Sequence, residues 1–306
     1  MTEIIVEEKF NGSRIDKFLA ESFKSYSRSY LQKLLKEGRV TCNGKACTLN
    51  RLVVSTGDKA TIDFPELKEE RTITAQDIPL DVLYEDDDIL VVNKKSGMVV
   101  HPAVGNHDGT VVNALLGRDA NFAERLMDEE RPGIVHRLDK DTSGCLVVAK
   151  NPMAQFGLSK AFQYRKVKKH YAVIAYGKPR DMEEEIITFI GRHPVHRKKF
   201  TVVEKGGKTA ISRYKVIKTG EIDGVPVVLL DVEIETGRTH QIRVHLAHKK
   251  LPVLGDQVYG GKQTLDVPRQ MLHAWKISFE HPVTGVKMDF ESPFPDDFAE
   301  LEKKIK

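Results

Sequence analysis

Apolar residues recur at helical spacing in two early segments: Ile15, Phe18, Leu19 and Phe23 in RIDKFLAESF, and Tyr30, Leu31, Leu34 and Leu35 in SRSYLQKLLKEG. The pattern predicts two amphipathic helices, the second opened by Ser27 as N-cap and stopped by Gly38. RVTCNGKAC then reads as two short strands about an Asn-Gly turn, and DKATIDF as a closing strand. Further along, strand-like runs dominate: DILVVNK, GCLVVAK, HYAVIAYG, AISRYKVI, VPVVLLDVEIE and KISFEH. Helical patterns there are shorter, as in VVNALL, PMAQFGLSKAFQ and HQIRVHLAH. Strands and helices do not alternate strictly, and no strand runs into a glycine-rich phosphate loop, which removes Rossmann and P-loop folds. The expected class is α+β: a small helix-and-sheet domain in front of a domain built on a large mixed, mainly antiparallel sheet.

The boundary shows in the charge pattern. From Glu66 to Asp88 nine acids face only Lys68 and Arg71, and PELKEERTITAQDIPLD lacks a periodic apolar face. The chain therefore reads as a first domain over residues 1–65, an acidic linker over 66–80 and a larger domain over 81–306. Hydrophobic residues at 40% and charged residues at 30% suit a globular chain and argue against disorder. No apolar run approaches the roughly 18 residues of a membrane span, and the acidic start MTEIIVEEKF carries no apolar signal core. The expectation is a cytoplasmic protein without a membrane partner. Cys42, Cys47 and Cys145 have no C-x-x-C spacing, which argues against a disulfide framework and structural zinc.

A net charge of +4 does not identify a nucleic-acid binder, but its distribution is uneven. Arg28, Lys33, Lys36, Arg39, Lys45 and Arg51 are accompanied only by Glu37, and they fall on the second helix and the hairpin. Such a patch can track phosphates, although a solvated helix face has the same composition.

Chemistry concentrates in RPGIVHRLDKDTSGCLVVAK, where His136, Arg137, Asp139, Lys140, Asp141, Thr142 and Ser143 precede an apolar strand. A charged surface turn with local capping by Asp141 or Thr142 fits the composition equally well. HRLD superficially matches a kinase catalytic loop, yet no Gly-rich loop, strand lysine or DFG accompanies it. Thr142-Ser143-Gly144 lacks the G-x-S-x-G elbow of a hydrolase. His240, His245 and His248 have neither an H-E-x-x-H arrangement nor a cysteine pair, so no metal site is expected.

Taken in order, NKKSGMVVHP, HRLDKDTSG, KKHYAVIAYG and ETGRTHQIRVHLAH resemble the RluA family of pseudouridine synthases. Residues 1–65, through SRSYLQKLLKEGRVTCNGK, resemble an S4 domain, a compact RNA-binding module. TAQDIPLDVLYEDDDILVVN, GNHDGTVVNALL and VLGDQVYGG are similar to the branch that modifies large-subunit ribosomal RNA. Lys95 departs from the family, which usually has proline in this N-K-P-x-G turn.

The resemblance implies isomerisation of uridine to pseudouridine in structured RNA, with no cofactor and no metal. The partner it implies is RNA, as large-subunit rRNA or a pre-ribosomal particle; a non-catalytic RNA-binding or assembly factor, or a synthase acting on tRNA, are the alternatives. It makes Asp139 the catalytic carboxylate, acting either on C1′ or on the C2′ proton. Arg243 is implied as its basic partner, and Tyr171 as the tyrosine that stacks on uracil and assists at C5. Arg137 is the implied side chain that fills the space left by the flipped base. Arg14, Lys17, Arg28, Lys33, Lys36, Arg39 and Lys45 are the implied RNA-facing residues of the S4 domain. Two further basic clusters, Arg165, Lys166, Lys168 and Lys169, and Arg192, Arg197, Lys198 and Lys199, are either phosphate contacts or solvated faces.

Overall fold

A computed structural model of the chain describes residues 2–23, 26, 28–64, 73–103, 105–119, 121–124, 126, 131–196, 199–260 and 264–306. It divides into two compact units, Met1–Thr72 and Ile73–Lys306. The proposed N-cap Ser27, residue 65 at the end of the first domain, residues 66–72 of the acidic linker, and Arg197 and Lys198 lie outside the described residues.

The first unit contains β1 (Thr2–Ile5), α1 (Ile15–Ser22), α2 (Arg28–Lys36), β2 (Val40–Cys42), β3 (Lys45–Ala46) and β4 (Lys59–Ile62). Both helices bury the faces their spacing predicts, with Ile15, Phe18, Leu19, Leu31, Leu34 and Leu35 packed with Val40, Ala60 and Ile62 of the sheet. Asn43 and Gly44 both adopt positive φ, 52° and 76°, the backbone that a two-residue hairpin needs to match strand twist. The strand β1 was not anticipated. Its sheet order is β1-β4-β2-β3, so β1 is held by antiparallel pairing to β4, more than fifty residues away, and no local pattern encodes that contact.

The second unit contains β5 (Val82–Glu85), β6 (Ile89–Lys94), α3 (Val111–Arg118), β7 (Ser143–Ala149), α4 (Pro152–Gln163), β8 (Lys168–Tyr176) and β9 (Glu183–Arg192). It continues with β10 (Phe200–Val203), β11 (Lys208–Ile222), β12 (Val225–Ile234), α5 (Gln241–His248), β13 (Leu272–Glu280), β14 (Lys287–Glu291) and α6 (Asp296–Lys304). The ten strands form one sheet in the order β10-β9-β11-β12-β8-β13-β7-β6-β5, with β14 extending from β13. Pairing is antiparallel except between β7 and β13, as the mixed α+β expectation required. Ile73 and Leu80 pack against the core of this unit, so it begins inside the segment read as linker.

Alternate strand residues face opposite sides of the sheet. Residues of α3 and α5 cover one side with Val92, Val148, Val173 and Leu230, while α4 and α6 cover parts of the other. The parallel contact between β7 and β13 is unusually close. A Cβ on Gly144, whose φ is +109°, would lie 2.2 Å from the Ala274 carbonyl oxygen, so only glycine fits. This glycine closes HRLDKDTSG and pins that loop to the middle of the sheet.

Two buried histidines tie elements together in neutral form. His273 shares a 2.9 Å hydrogen bond with Ser143 and one of 3.2 Å with the Ser292 carbonyl, and His245 bridges Ser212 and Thr188. Burial pushes each imidazole pKa down to about 4. With folded values below the unfolded one, their contribution is complete above about pH 6.5 and is lost as pH falls toward 4, since the unfolded chain then binds the protons. The thermal unfolding midpoint of the full chain is therefore expected to fall across pH 6.5 to 4. Replacing both residues with Gln should flatten that decline, which differential scanning calorimetry at stepped pH would measure.

Candidate active site

The loop that carries Asp139 is held at nearly every residue. Thr142 N–H donates to the Asp139 carbonyl at 3.1 Å, closing the turn. Lys94, buried at the end of β6, donates to the carbonyls of Lys95, Met98 and Lys140. Three acceptors match the three N–H bonds of an ammonium, although burial pushes the Lys94 pKa down to about 7 against the pull of Asp141 and Asp139. Arg269 donates to the Asp141 carbonyl at 3.1 Å and is itself gripped by Asp297 at 2.5 and 2.7 Å. Gln270 donates to Thr142 Oγ1 at 2.8 Å, and Ser143 meets His273. The surface-turn alternative therefore fails for Thr142 and Ser143, which are buried brackets of the loop.

Arg243 reaches this loop from the first turn of α5. Its Nη1 donates to Asp139 Oδ2 at 3.0 Å, while Nε and Nη2 donate to the two oxygens of Asp256 at 2.7 and 2.9 Å. Asp256 is buried and also accepts the N–H groups of Val258 and Tyr259. Burial disfavours charge on both partners, but their mutual hydrogen bonds outweigh it, raising the Arg243 pKa and lowering that of Asp256. Gly255, beside Asp256, lets the chain pass against the segment before β13, since a Cβ there would stand 1.9 Å from the Arg269 carbonyl oxygen. The Tyr259 ring lies 5.1 Å from the Arg243 guanidinium, adding a cation–π contact.

The segment leading into α5 is fixed by Gln241. It accepts from Thr236 and Arg238 N–H, and donates to the Ile211 carbonyl and Ser212. His240, at φ +57°, brings its Nε2 to 3.9 Å from Asp139 Oδ2 and shares a 2.9 Å hydrogen bond with the Tyr259 hydroxyl. Burial lowers its pKa in spite of Asp139.

These groups open onto a pocket of about 600 Å³ whose lining includes Arg137, Asp139, Phe162, Tyr171, Leu272 and Arg243. Tyr171 is buried on β8, and burial, together with Asp139 and Cys145, raises its phenol pKa. At neutral pH it is thus a flat ring with an O–H, and a poor base. Arg137 is exposed at the pocket wall. Of the basic cluster after α4, Arg165 and Lys169 line the pocket, while Lys166 and Lys168 are exposed. Lys169 is buried, which pushes its pKa down to about 8. Arg192 packs its guanidinium over Phe200 at 5.5 Å.

In the first unit, Arg14 and Arg28 converge on the buried carboxylate of Asp16, at 3.0 and 2.8 Å, with Gln32 adding a third donor. Burial alone would raise the Asp16 pKa, but these hydrogen bonds hold it below the usual carboxylate range. Both guanidiniums remain about half exposed. Lys17 and Lys33 face Glu21 and Glu37 one helical turn away, Arg39 bonds Asp63 at 2.9 Å, and Lys36 and Lys45 are exposed.

Residues 88–248 match the RNA pseudouridylate synthase family model, and residues 13–59 match the S4 domain. The chain is 42% identical, over 97% of its length and 91% of the other's, to ribosomal large subunit pseudouridine synthase D of Salmonella typhimurium. The chain belongs to the RNA pseudouridylate synthase family. It is also 40% identical to an uncharacterized RNA pseudouridine synthase of Bacillus subtilis, covering 99% of this chain and 98% of that one. The solved structure of human RNA pseudouridylate synthase domain containing 1 superposes with a TM-score of 0.60 at 28% identity, covering 72% of this chain and 86% of that chain. This is an RNA pseudouridine synthase of the RluA type with an S4 domain in front.

The structure brings Asp139, Arg243, Tyr171 and Arg137 to one pocket, as the motif resemblance implied. Sequence reading gave no role to Asp256, Tyr259, Lys94 or Asp16. Asp256 lies inside the quoted VLGDQVYGG segment, yet only the fold shows that it meets Arg243. Asp256 does not line the pocket, so Asp256→Asn tests positioning alone. It is expected to lower kcat by about 10- to 100-fold by releasing the guanidinium, with RNA affinity nearly unchanged. It should also destabilise the fold by about 3 kcal/mol, the scale of a broken buried ion pair, read from single-turnover kinetics and urea titration.

Proposed function

We propose that this synthase isomerises uridine in a stem-loop of large-subunit ribosomal RNA, with Asp139 as the carboxylate that acts on the ribose. The observation that carries the reading is Arg243, whose one guanidinium joins Asp139 at the pocket to the buried anchor Asp256. The reaction breaks the N1–C1′ bond, turns the uracil and forms C1′–C5, after which the C5 proton leaves and N1 takes up a proton, so that uridine and product are isomers. No electron is gained or lost overall. Whether Asp139 attacks C1′ or takes the C2′ proton, the carboxylate must stand at a fixed place beside the sugar, which the fork of Arg243 achieves. Tyr171 supplies a ring for the uracil to lie against. Burial keeps its phenol protonated, so it also offers the base a hydrogen bond, and assistance at C5 is the second role proposed for it.

A stacked uridine cannot enter such a pocket, so the target base leaves its stack, at a cost of a few kcal/mol that is smaller in loops. Arg137, exposed at the wall, is suited to stacking in the vacated position. The first unit adds phosphate contacts through Arg14, Lys17, Arg28, Lys33, Lys36, Arg39 and Lys45. Asp16 supports the reading for Arg14 and Arg28, because it pre-orients two half-exposed guanidiniums. The choice of ribosomal RNA rests on the likeness to the Salmonella typhimurium enzyme and on the branch-specific segments.

Asp139→Asn is expected to abolish release of tritium from C5-labelled large-subunit RNA while the RNA still binds. Pseudouridine mapping of ribosomal RNA with and without the gene should show positions that disappear; an unchanged ribosomal map with changes in tRNA would move the substrate to tRNA. Removing residues 1–65 should weaken RNA binding and lower the slope of affinity against salt concentration by several charges, measured by filter binding across a salt series.

A further inference from the structure

The outer face of α4 carries large apolar side chains that the fold does not bury. Met153 is 66% exposed, Phe156 57%, and Tyr164, just past the helix end, 65%. Spacings of three and four residues place Met153, Phe156, Lys160 and Gln163 along one side of the helix, opposite the buried Ala154 and Leu158. Lys160 holds its ammonium 4.2 Å above the Phe156 ring. This face is continuous with the catalytic pocket, since Ser159 and Gln163 are exposed on it and also line the pocket, as does Arg165 just beyond.

The charge on this stretch has one sign. Residues 152–169 contain Lys160, Arg165, Lys166, Lys168 and Lys169 and no acid. Exposed aromatics interleaved with cations are what unpaired RNA requires, because any base can stack on a ring while the cations meet its phosphates. An apolar partner helix would instead need a wider apolar stripe than one carrying Lys160, Ser159 and Gln163.

We propose that the exposed face of α4 is a second RNA subsite, in which Phe156 and Tyr164 stack unpaired bases next to the target uridine and Lys160 meets the backbone. The subsite rests on the RNA synthase reading of the adjoining pocket, and it gives the enzyme a preference for targets with unpaired neighbours.

The test is the double variant Phe156→Ala, Tyr164→Ala in the full chain, which removes two largely exposed rings and leaves the pocket residues in place. Tritium release is measured on a labelled hairpin whose target has unpaired neighbours, and on a matched RNA with those neighbours base-paired. On the first RNA, KM is expected to rise at least about tenfold with kcat within about twofold, since each of the two rings removed is worth about 1–3 kcal/mol of stacking. Phe156→Trp in the Tyr164 background should keep wild-type KM. On the paired RNA, wild type and double variant should be equal. An unchanged KM on the first RNA, or an equal loss on both, overturns the subsite. So does a wild-type dimer in sedimentation that the variant dissociates, which would make the face a contact between copies. Fluorescence anisotropy with the same RNAs reads the subsite apart from chemistry: should wild type release no tritium, the enzyme reading fails, while a tenfold or a null change in affinity still decides the platform.

Discussion

Everything at the pocket depends on one guanidinium being shared between two carboxylates. Arg243 spends two of its nitrogens on Asp256 and one on Asp139, so the partly exposed carboxylate takes its position from the buried one. Such an arrangement needs arginine, because a lysine ammonium has no rigid fork with which to hold two planar groups at once. Leaving either buried partner alone is costly; Asp256 is completed by two backbone N–H groups and Arg243 by the face of Tyr259.

The opposite side of the same carboxylate is set by the sheet. Gly144 brings β7 and β13 into contact, and residues Arg269 to His273, which lead into β13, then bracket the loop from Asp141 to Ser143. Lys94 adds a third hold from the neighbouring strand. The loop is therefore a rigid extension of strands that are themselves buried on both faces, and chemistry that depends on the placement of one oxygen benefits from that rigidity.

On the proposed reading, RNA affinity and RNA chemistry draw on different kinds of surface. In the first unit, half-exposed arginines are pre-oriented by a buried aspartate, which would reduce the conformational freedom lost on binding phosphate. Around the pocket, the cations accompany aromatic rings. The first arrangement suits a backbone followed by charge alone, and the second suits bases that have left the helix.

Local physics made much of this molecule readable in the sequence. The two helices of the first unit follow from apolar spacing, the hairpin from Asn43-Gly44, and the main strands from runs rich in aliphatic, largely β-branched residues such as Val225–Ile234. The strands β1, β5, β9, β10 and β14 and the helix α6 escaped notice; β1 is an edge paired across the whole unit, and β9 begins with three glutamates on a half-solvated strand. At the site, motif order pointed to Asp139, Arg243, Tyr171 and Arg137, while composition alone left Asp139 in a surface turn. Asp256, Lys94 and Asp16 had no comparable signal, because a buried charge is recognisable only from what surrounds it. Sequence by itself determined which segments fold and which family the motifs belong to. Only the tertiary structure decided which carboxylate is the buried anchor and which faces the pocket, since Arg243 reaches Asp139 from 104 positions away and burial is set by the packed fold.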